Sequence, residues 1–195
     1  LHGKIRTERR GSMELIQGIR ERRSIRRFQE KPVPREVLRE IVGTAAWAPS
    51  WKNTQTARYI VIDDREKILE LAGEACMMGF RKNMETLSKA PVVVLLTGVT
   101  GRSGYERDGS FSTLKGSHWE SFDAGIAAQT FCLAAWDKGV GTVIMGLFDE
   151  KEIAKAVQIP EGQQICAVIA AGYPLDVPDA PPRKAVDELI TFREP

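Results

Sequence analysis

Apolar residues recur along the chain at two periods, and the change from one to the other predicts the elements. Leu15, Ile16 and Ile19 begin a short helix. After the extended connector Lys31-Pro32-Val33-Pro34, residues Val37, Leu38, Ile41, Val42 and Ala45 follow at helical spacing, with Pro34 placed for a first turn. That helix is expected to stop near Trp47, because Ala48 precedes Pro49 and is pushed out of the α region. Tyr59 to Ile62 reads as a strand closed by Asp63-Asp64, and helices are expected around Ile68 to Ala75 and Phe80 to Leu87. Beyond Pro91 the unbroken apolar run Val92 to Leu96 predicts a strand buried on both faces.

From Gly98 to Ser117 the chain turns to glycine, serine and charge, which predicts a long mobile loop. Asp123 to Trp136 is apolar on nearly every face and predicts a helix at the centre of the fold or across a subunit interface. Gly139 to Gly146 predicts a turn and a short strand. Asp149 with Glu152 predicts a capped helix running through Val157, and Gln164 to Gly172 another buried strand. The tail 174–195 carries Pro178, Pro181 and Pro182 and is expected to be extended. Strands alternating with helices define an α/β (α+β) class, a mixed central sheet flanked by helices in a single domain over 13–195.

Composition changes this picture in one place. Residues Leu1 to Ser12 lack an apolar period and end in Gly11-Ser12 before Met13, so they are expected to be a leader foreign to the native chain. Four of the 28 basic residues and one of the 26 acidic ones lie there, so the formal charge of +2 becomes about −1 without them. A near-neutral domain lacks the field that nucleic-acid binding needs. No apolar run is long enough to span a bilayer. Cys76, Cys132 and Cys166 are odd in number, far apart and set among apolar neighbours, which reads as reduced core thiols in a cytoplasmic protein.

Candidate chemistry is concentrated in Arg22-Arg23-Ser24-Ile25-Arg26-Arg27-Phe28. Four guanidinium forks and a hydroxyl within six residues suit a phosphate, although a solvated charged turn and a nucleic-acid patch are the other readings of such a run. His118 alone remains outside the leader, so acid–base or nucleophilic catalysis from the protein is poorly provisioned and a cofactor becomes the more attractive source of chemistry. Gly139-Val140-Gly141 with Gly146 does not match the dinucleotide fingerprint, and no Walker A sequence is present.

Five motifs in order carry a resemblance. They are Arg22 to Arg26, Ala48-Pro49-Ser50-Trp51-Lys52-Asn53-Thr54-Gln55, Gly139 to Thr142 with Met145-Gly146, Ala171-Gly172-Tyr173-Pro174, and Pro182-Arg183-Lys184. Together the chain resembles the FMN-dependent nitroreductase family from Met13 on, outside 98–117. The resemblance implies an intertwined homodimer with FMN at its interface. It also implies that Arg22 and Ser24 hold the phosphate with Arg183 and Lys184, that Arg23 contributes through its backbone, and that Arg26 lies at the pyrimidine edge of the ring, raising its potential. Ile144 would pack on the ring, and the Met145 and Gly146 amides would face N5. Pro49, Ser50, Trp51 and Asn53 would reach the flavin of the other subunit, while Asn83 is an ambiguous candidate for the ring edge. The implied activity takes hydride from NAD(P)H onto N5, with no obligate catalytic side chain. Electrons then pass to small planar acceptors such as nitroaromatics or quinones in a ping-pong scheme. The alternative is a flavin-binding storage or redox-sensing protein without NAD(P)H turnover. Two departures stand out: Thr56-Ala57 replaces the Pro-Trp common after the loop glutamine, and Trp51 stands where small residues are usual.

Overall fold

The computed structural model describes residues 14–193; the expected leader and Met13 lie outside the described residues. Four strands, β1 (Ala57–Ile62), β2 (Val92–Val99), β3 (Gly141–Met145) and β4 (Gln163–Gly172), pair in the order β1-β2-β4-β3. The α/β class with a helix-flanked sheet is as expected, but every ladder is antiparallel. The parallel pairing expected of a mixed sheet is limited, among the described residues, to one bridge between Ser24 and Thr142.

The apolar run in β2 is explained by coverage on both sides of the sheet. Val93 and Leu95 face a core built with α3 (Arg65–Leu71), α4 (Arg81–Leu87) and α6 (Glu150–Ala156). Val92, Val94 and Leu96 face the opposite core, built with α2 (Arg35–Ala45) and α5 (His118–Asp137). Alternate residues of one strand thus enter two cores, and the one buried polar side chain of β2, Thr97, is satisfied by donating its hydroxyl to Gln163 Oε1 at 2.6 Å.

The helix α5 starts at His118, not at Asp123 as its apolar pattern suggests. Its first turns carry Glu120 and Asp123, both buried and both accepting hydrogen bonds from loops, so polar residues there belong to the helix. β2 likewise runs to Val99, which shortens the predicted loop to 100–117. That segment folds back on itself through a Tyr105–Phe111 bridge, with Gly101, Gly104, Gly109 and Gly116 at positive φ. At Gly104 a methyl group would run into the Gly116 carbonyl, so the crossing requires glycine.

Asp149 caps α6 as predicted, accepting from the amides of Lys151 and Glu152 at 2.9 and 3.0 Å. Asp64 does the same for α3 through the Lys67 amide at 2.8 Å. The helix α1 (Leu15–Glu21) buries Gly18 only, leaving Leu15, Ile16 and Ile19 exposed. The tail from Pro174 is extended apart from a 3-10 turn at Val186–Glu188, and exposes Val186, Leu189 and Phe192. Among the described residues no helix is long and apolar enough to cross a membrane.

Candidate functional site

The arginine segment is stitched to the edge of the sheet. After α1 the backbone becomes extended, the Ile25 amide donates to the Thr142 carbonyl at 2.9 Å, and Gln29 and Leu175 pair with Tyr173 and Arg27 at 2.9 and 3.0 Å. Ile25 is wholly buried and packs against Gly141, where a methyl group would stand 2.5 Å from its Cγ1. Phe28 is buried as well. With Ile25 and Phe28 turned inward, the polar residues between and before them are presented outward as a set.

Arg22, Arg23, Ser24 and Arg26 line one cavity of about 340 Å³ with Pro178, Asp179, Pro181 and Arg183 of the tail. Among the described residues none of these four arginines is ion-paired. Arg23 Nη1 donates to the carbonyls of Arg20 and Arg22 at 2.7 and 2.9 Å, which fixes its fork. The Nε atoms of Arg22 and Arg23 are buried without a partner among the described residues. A buried, unpartnered guanidinium N–H is costly, and an anion with several acceptor oxygens satisfies it. A phosphate group therefore fits this donor set, with Asp179 the one carboxylate in the lining. Arg27 instead pairs at the surface with Asp176, and Lys184 is exposed and absent from the cavity.

The strand β3 brings the next group. Ile144 is 45% exposed, and with Ser121, Ala124, Gly125 and Ala128 of α5 and Gln164 and Cys166 of β4 it lines a second cavity. Small residues on α5 leave this space open, and nothing stands within 4 Å of a methyl group built on Gly125 or Gly146. Met145 is buried beneath the turn. Asn83 Nδ2 donates to the Leu147 carbonyl at 3.2 Å, so Asn83 is tied to the turn that carries Gly146. The Cys166 thiol is pushed up to about 11 by burial and by Glu120 and Glu150, so it remains protonated. Burial likewise raises Cys132, against a hydrogen bond to Thr142 and the nearby Arg22 charge.

The third group lies elsewhere. Pro49 and Ser50 line a cavity with α2, Tyr59 of β1 and Asp123 of α5. In the loop that follows, Lys52, Asn53 and Gln55 take φ values of 44°, 55° and 49°, a left-handed conformation that costs free energy in residues with side chains. The loop is held by Ser50 Oγ, which accepts from the Gln55 amide at 2.9 Å, and by Asp123, which accepts from the Trp51 amide at 2.9 and 3.1 Å. Ser103 Oγ donates to the same carboxylate at 2.7 Å. Asp123 thus joins two loops, a role its place in an apolar run conceals. β1 and β3 are opposite edges of a four-stranded sheet, three strand spacings or about 14 Å apart. One chain therefore gathers Arg22, Arg23, Ser24, Arg26 and Arg183 in a cavity beside the β3 edge, while Pro49 and Ser50, in the loop that continues through Trp51 and Asn53, line a separate cavity next to β1.

A helix-flanked antiparallel sheet with a guanidinium-lined anion pocket on one edge defines the class of scaffold. The Nitroreductase family model matches residues 19–88 and 79–173. A Methanothermobacter thermautotrophicus protein described as an NADH dehydrogenase/NAD(P)H nitroreductase is 30% identical over 170 residues, covering 85% of this chain and 80% of its own. An FMN reductase [NAD(P)H] of Bacillus subtilis is 29% identical over 198 residues, covering 92% and 74%. A nitroreductase from Desulfovibrio desulfuricans, solved in complex with FMN, superimposes with a TM-score of 0.68 at 27% identity, covering 92% and 97%. The chain belongs to the nitroreductase family.

Proposed function

We propose that the protein is an FMN-dependent NAD(P)H oxidoreductase, acting as a homodimer on small planar acceptors such as nitroaromatics or quinones. The observation that carries this reading is the cavity in which Arg22, Arg23, Ser24 and Arg183 converge, with two buried guanidinium Nε atoms lacking partners among the described residues. Arg22, Ser24 and Arg183 would hold the FMN phosphate, with Arg23 supporting through its backbone and Lys184 held in reserve on the adjoining tail. Arg26 would place positive charge beside the ring, and Ile144, Met145 and Gly146 would border it from β3. FMN, when bound, supplies the two-electron chemistry, accepting hydride from NAD(P)H and delivering electrons to the second substrate in alternation.

The chain's own residues bind, orient and exclude water. The exposed apolar side chains of α1 and the tail support burial against a second copy, because isolated folded chains rarely leave such surfaces open. The separation of Pro49, Ser50, Trp51 and Asn53 from the arginine pocket supports their serving the site of that second copy. Three free thiols, two of them buried, suit a reducing cytoplasm. Anaerobic titration tests the reading. Purified protein supplied with FMN should retain yellow flavin that NADH or NADPH bleaches. Retained flavin that neither nicotinamide bleaches would instead indicate storage or sensing, and failure to retain FMN would refute the assignment.

A further inference from the structure

The junction between the loop at 50–55 and the start of α5 carries an aromatic surface that extends beyond the residues assigned to the cofactor. The rings of Trp51 and Trp119 lie 4.5 Å apart, and Phe122, 53% exposed, meets Trp119 edge-on at 5.3 Å. Both residues are held in place. Trp119 Nε1 donates to Thr113 Oγ1 at 2.8 Å, and the Trp51 backbone is fixed by Asp123. Trp51 Nε1 is buried without a partner among the described residues. The strained φ values at Lys52, Asn53 and Gln55 follow directly in sequence, and such strain collects where a surface must be presented to a ligand.

Two lysines border these rings, and only one is committed. Lys52 Nζ is neutralised by Glu106 at 2.7 Å. Lys115 Nζ stands 4.8 Å from the Trp119 centroid and 5.7 Å from that of Phe122, and no carboxylate pairs with it among the described residues. An ammonium held on a ring face without a counter-ion is placed to receive an anion attached to a stacked aromatic.

We propose that Trp51 and Trp119 form the wall on which the electron acceptor stacks, and that Lys115 biases the site toward planar aromatic acceptors bearing a carboxylate. The proposal rests on the reading of residues 49–53 as lining the cofactor site of a second subunit. It deepens that reading by naming the substrate class and the selecting residue.

The test uses the FMN-loaded protein, with 4-nitrobenzoate and its methyl ester as matched acceptors. Wild type should favour the acid, and Lys115→Met should lower the ratio of the two kcat/KM values roughly fivefold, the scale of one exposed ion pair. The wild-type preference should also shrink at high salt. Trp119→Leu should raise KM for both acceptors roughly tenfold, whereas Trp119→Phe, which keeps a ring, should raise it less than about threefold. An unchanged ratio in Lys115→Met, or equal effects of Leu and Phe at 119, overturns the proposal. Anaerobic bleaching of wild-type flavin by NADH and by NADPH is measured alongside, and bleaching by either counts. If bleaching occurs and the ratio does not move, the acceptor wall alone is wrong; if wild type shows no bleaching, the oxidoreductase reading itself fails.

Discussion

Replacing Asp123 by alanine should uncouple the two loops that meet at α5. Its carboxylate is 4% exposed and serves two donors, the Trp51 amide and the Ser103 hydroxyl. Hydrogen bonds to a charged acceptor contribute about 1.5–3 kcal/mol each, and deletion also strands both donors away from water, so Asp123→Ala should destabilise by about 3–5 kcal/mol. Asp123→Asn keeps the shape and one acceptor oxygen, and should cost about 1–2 kcal/mol. Urea unfolding at fixed protein concentration measures both, since subunit association would otherwise shift the midpoint. Ser103→Ala should cost about 1–2 kcal/mol alone and much less in the Asp123→Ala background, because its partner is already gone. Faster hydrogen exchange at the Trp51 amide should accompany the loss of Asp123. A loss below about 1 kcal/mol in Asp123→Ala, or full additivity with Ser103→Ala, would refute the view that this carboxylate joins the loops.

Three further outcomes follow from other parts of the molecule. Arg22→Ala should weaken FMN retention by at least about tenfold, whereas Arg26→Ala should mainly lower the potential of the bound flavin. Dialysis followed by flavin fluorescence and a dye-coupled redox titration separate these, and indistinguishable variants would undo the division. Gly141→Ala should destabilise by about 1–3 kcal/mol in urea and weaken FMN retention with it, because the new methyl displaces Ile25; an unchanged midpoint would show that Ile25 yields freely. Burial raises the Tyr59 phenol to about 12, and its hydroxyl has no hydrogen-bond partner among the described residues. Between pH 10 and about 12 the unfolded chain releases a proton that the folded one keeps, so this group makes stability fall as pH rises through that window. Tyr59→Phe should flatten that slope and leave neutral-pH stability equal or higher, and a clear loss at pH 7 would reveal an unseen partner for the hydroxyl.

Much of the fold was legible because burial leaves a periodic trace. Val92 to Leu96 announced a strand covered on both faces, and Asp149 announced a capped helix. Strand direction was not legible, since the same two-sided burial arises in parallel and antiparallel sheets once helices cover both faces. The start of α5 was hidden because Glu120 and Asp123 resemble loop residues, and their partners, the amides of Gly101 and Trp51, lie 19 and 72 positions away. In the candidate site, Arg22, Arg23, Ser24, Arg26 and Arg183 were nameable from residue type and motif, and the chain does bring them to one cavity. Lys184 adjoins Arg183 in sequence but stays outside that cavity. Asn83 could be placed only once its bond to Leu147 fixed it beside the Gly146 turn. The contact of Trp119 with Trp51 across the fold leaves no trace in the sequence.

The backbone pairing of the arginine segment also sets an order of assembly. Ile25 pairs with Thr142, Gln29 with Tyr173 and Arg27 with Leu175, so residues near the beginning are completed by residues more than a hundred positions later. Closing such long loops is entropically expensive and slow relative to local helix formation. On the ribosome the arginines emerge early, yet their edge of the sheet cannot close until Leu175 has been made, and their pocket must wait for Arg183. The arginine-lined cavity thus forms only after the tail has been made, and a nascent chain arrested before Pro178 would present its guanidinium groups without the walls that Pro178, Asp179, Pro181 and Arg183 supply.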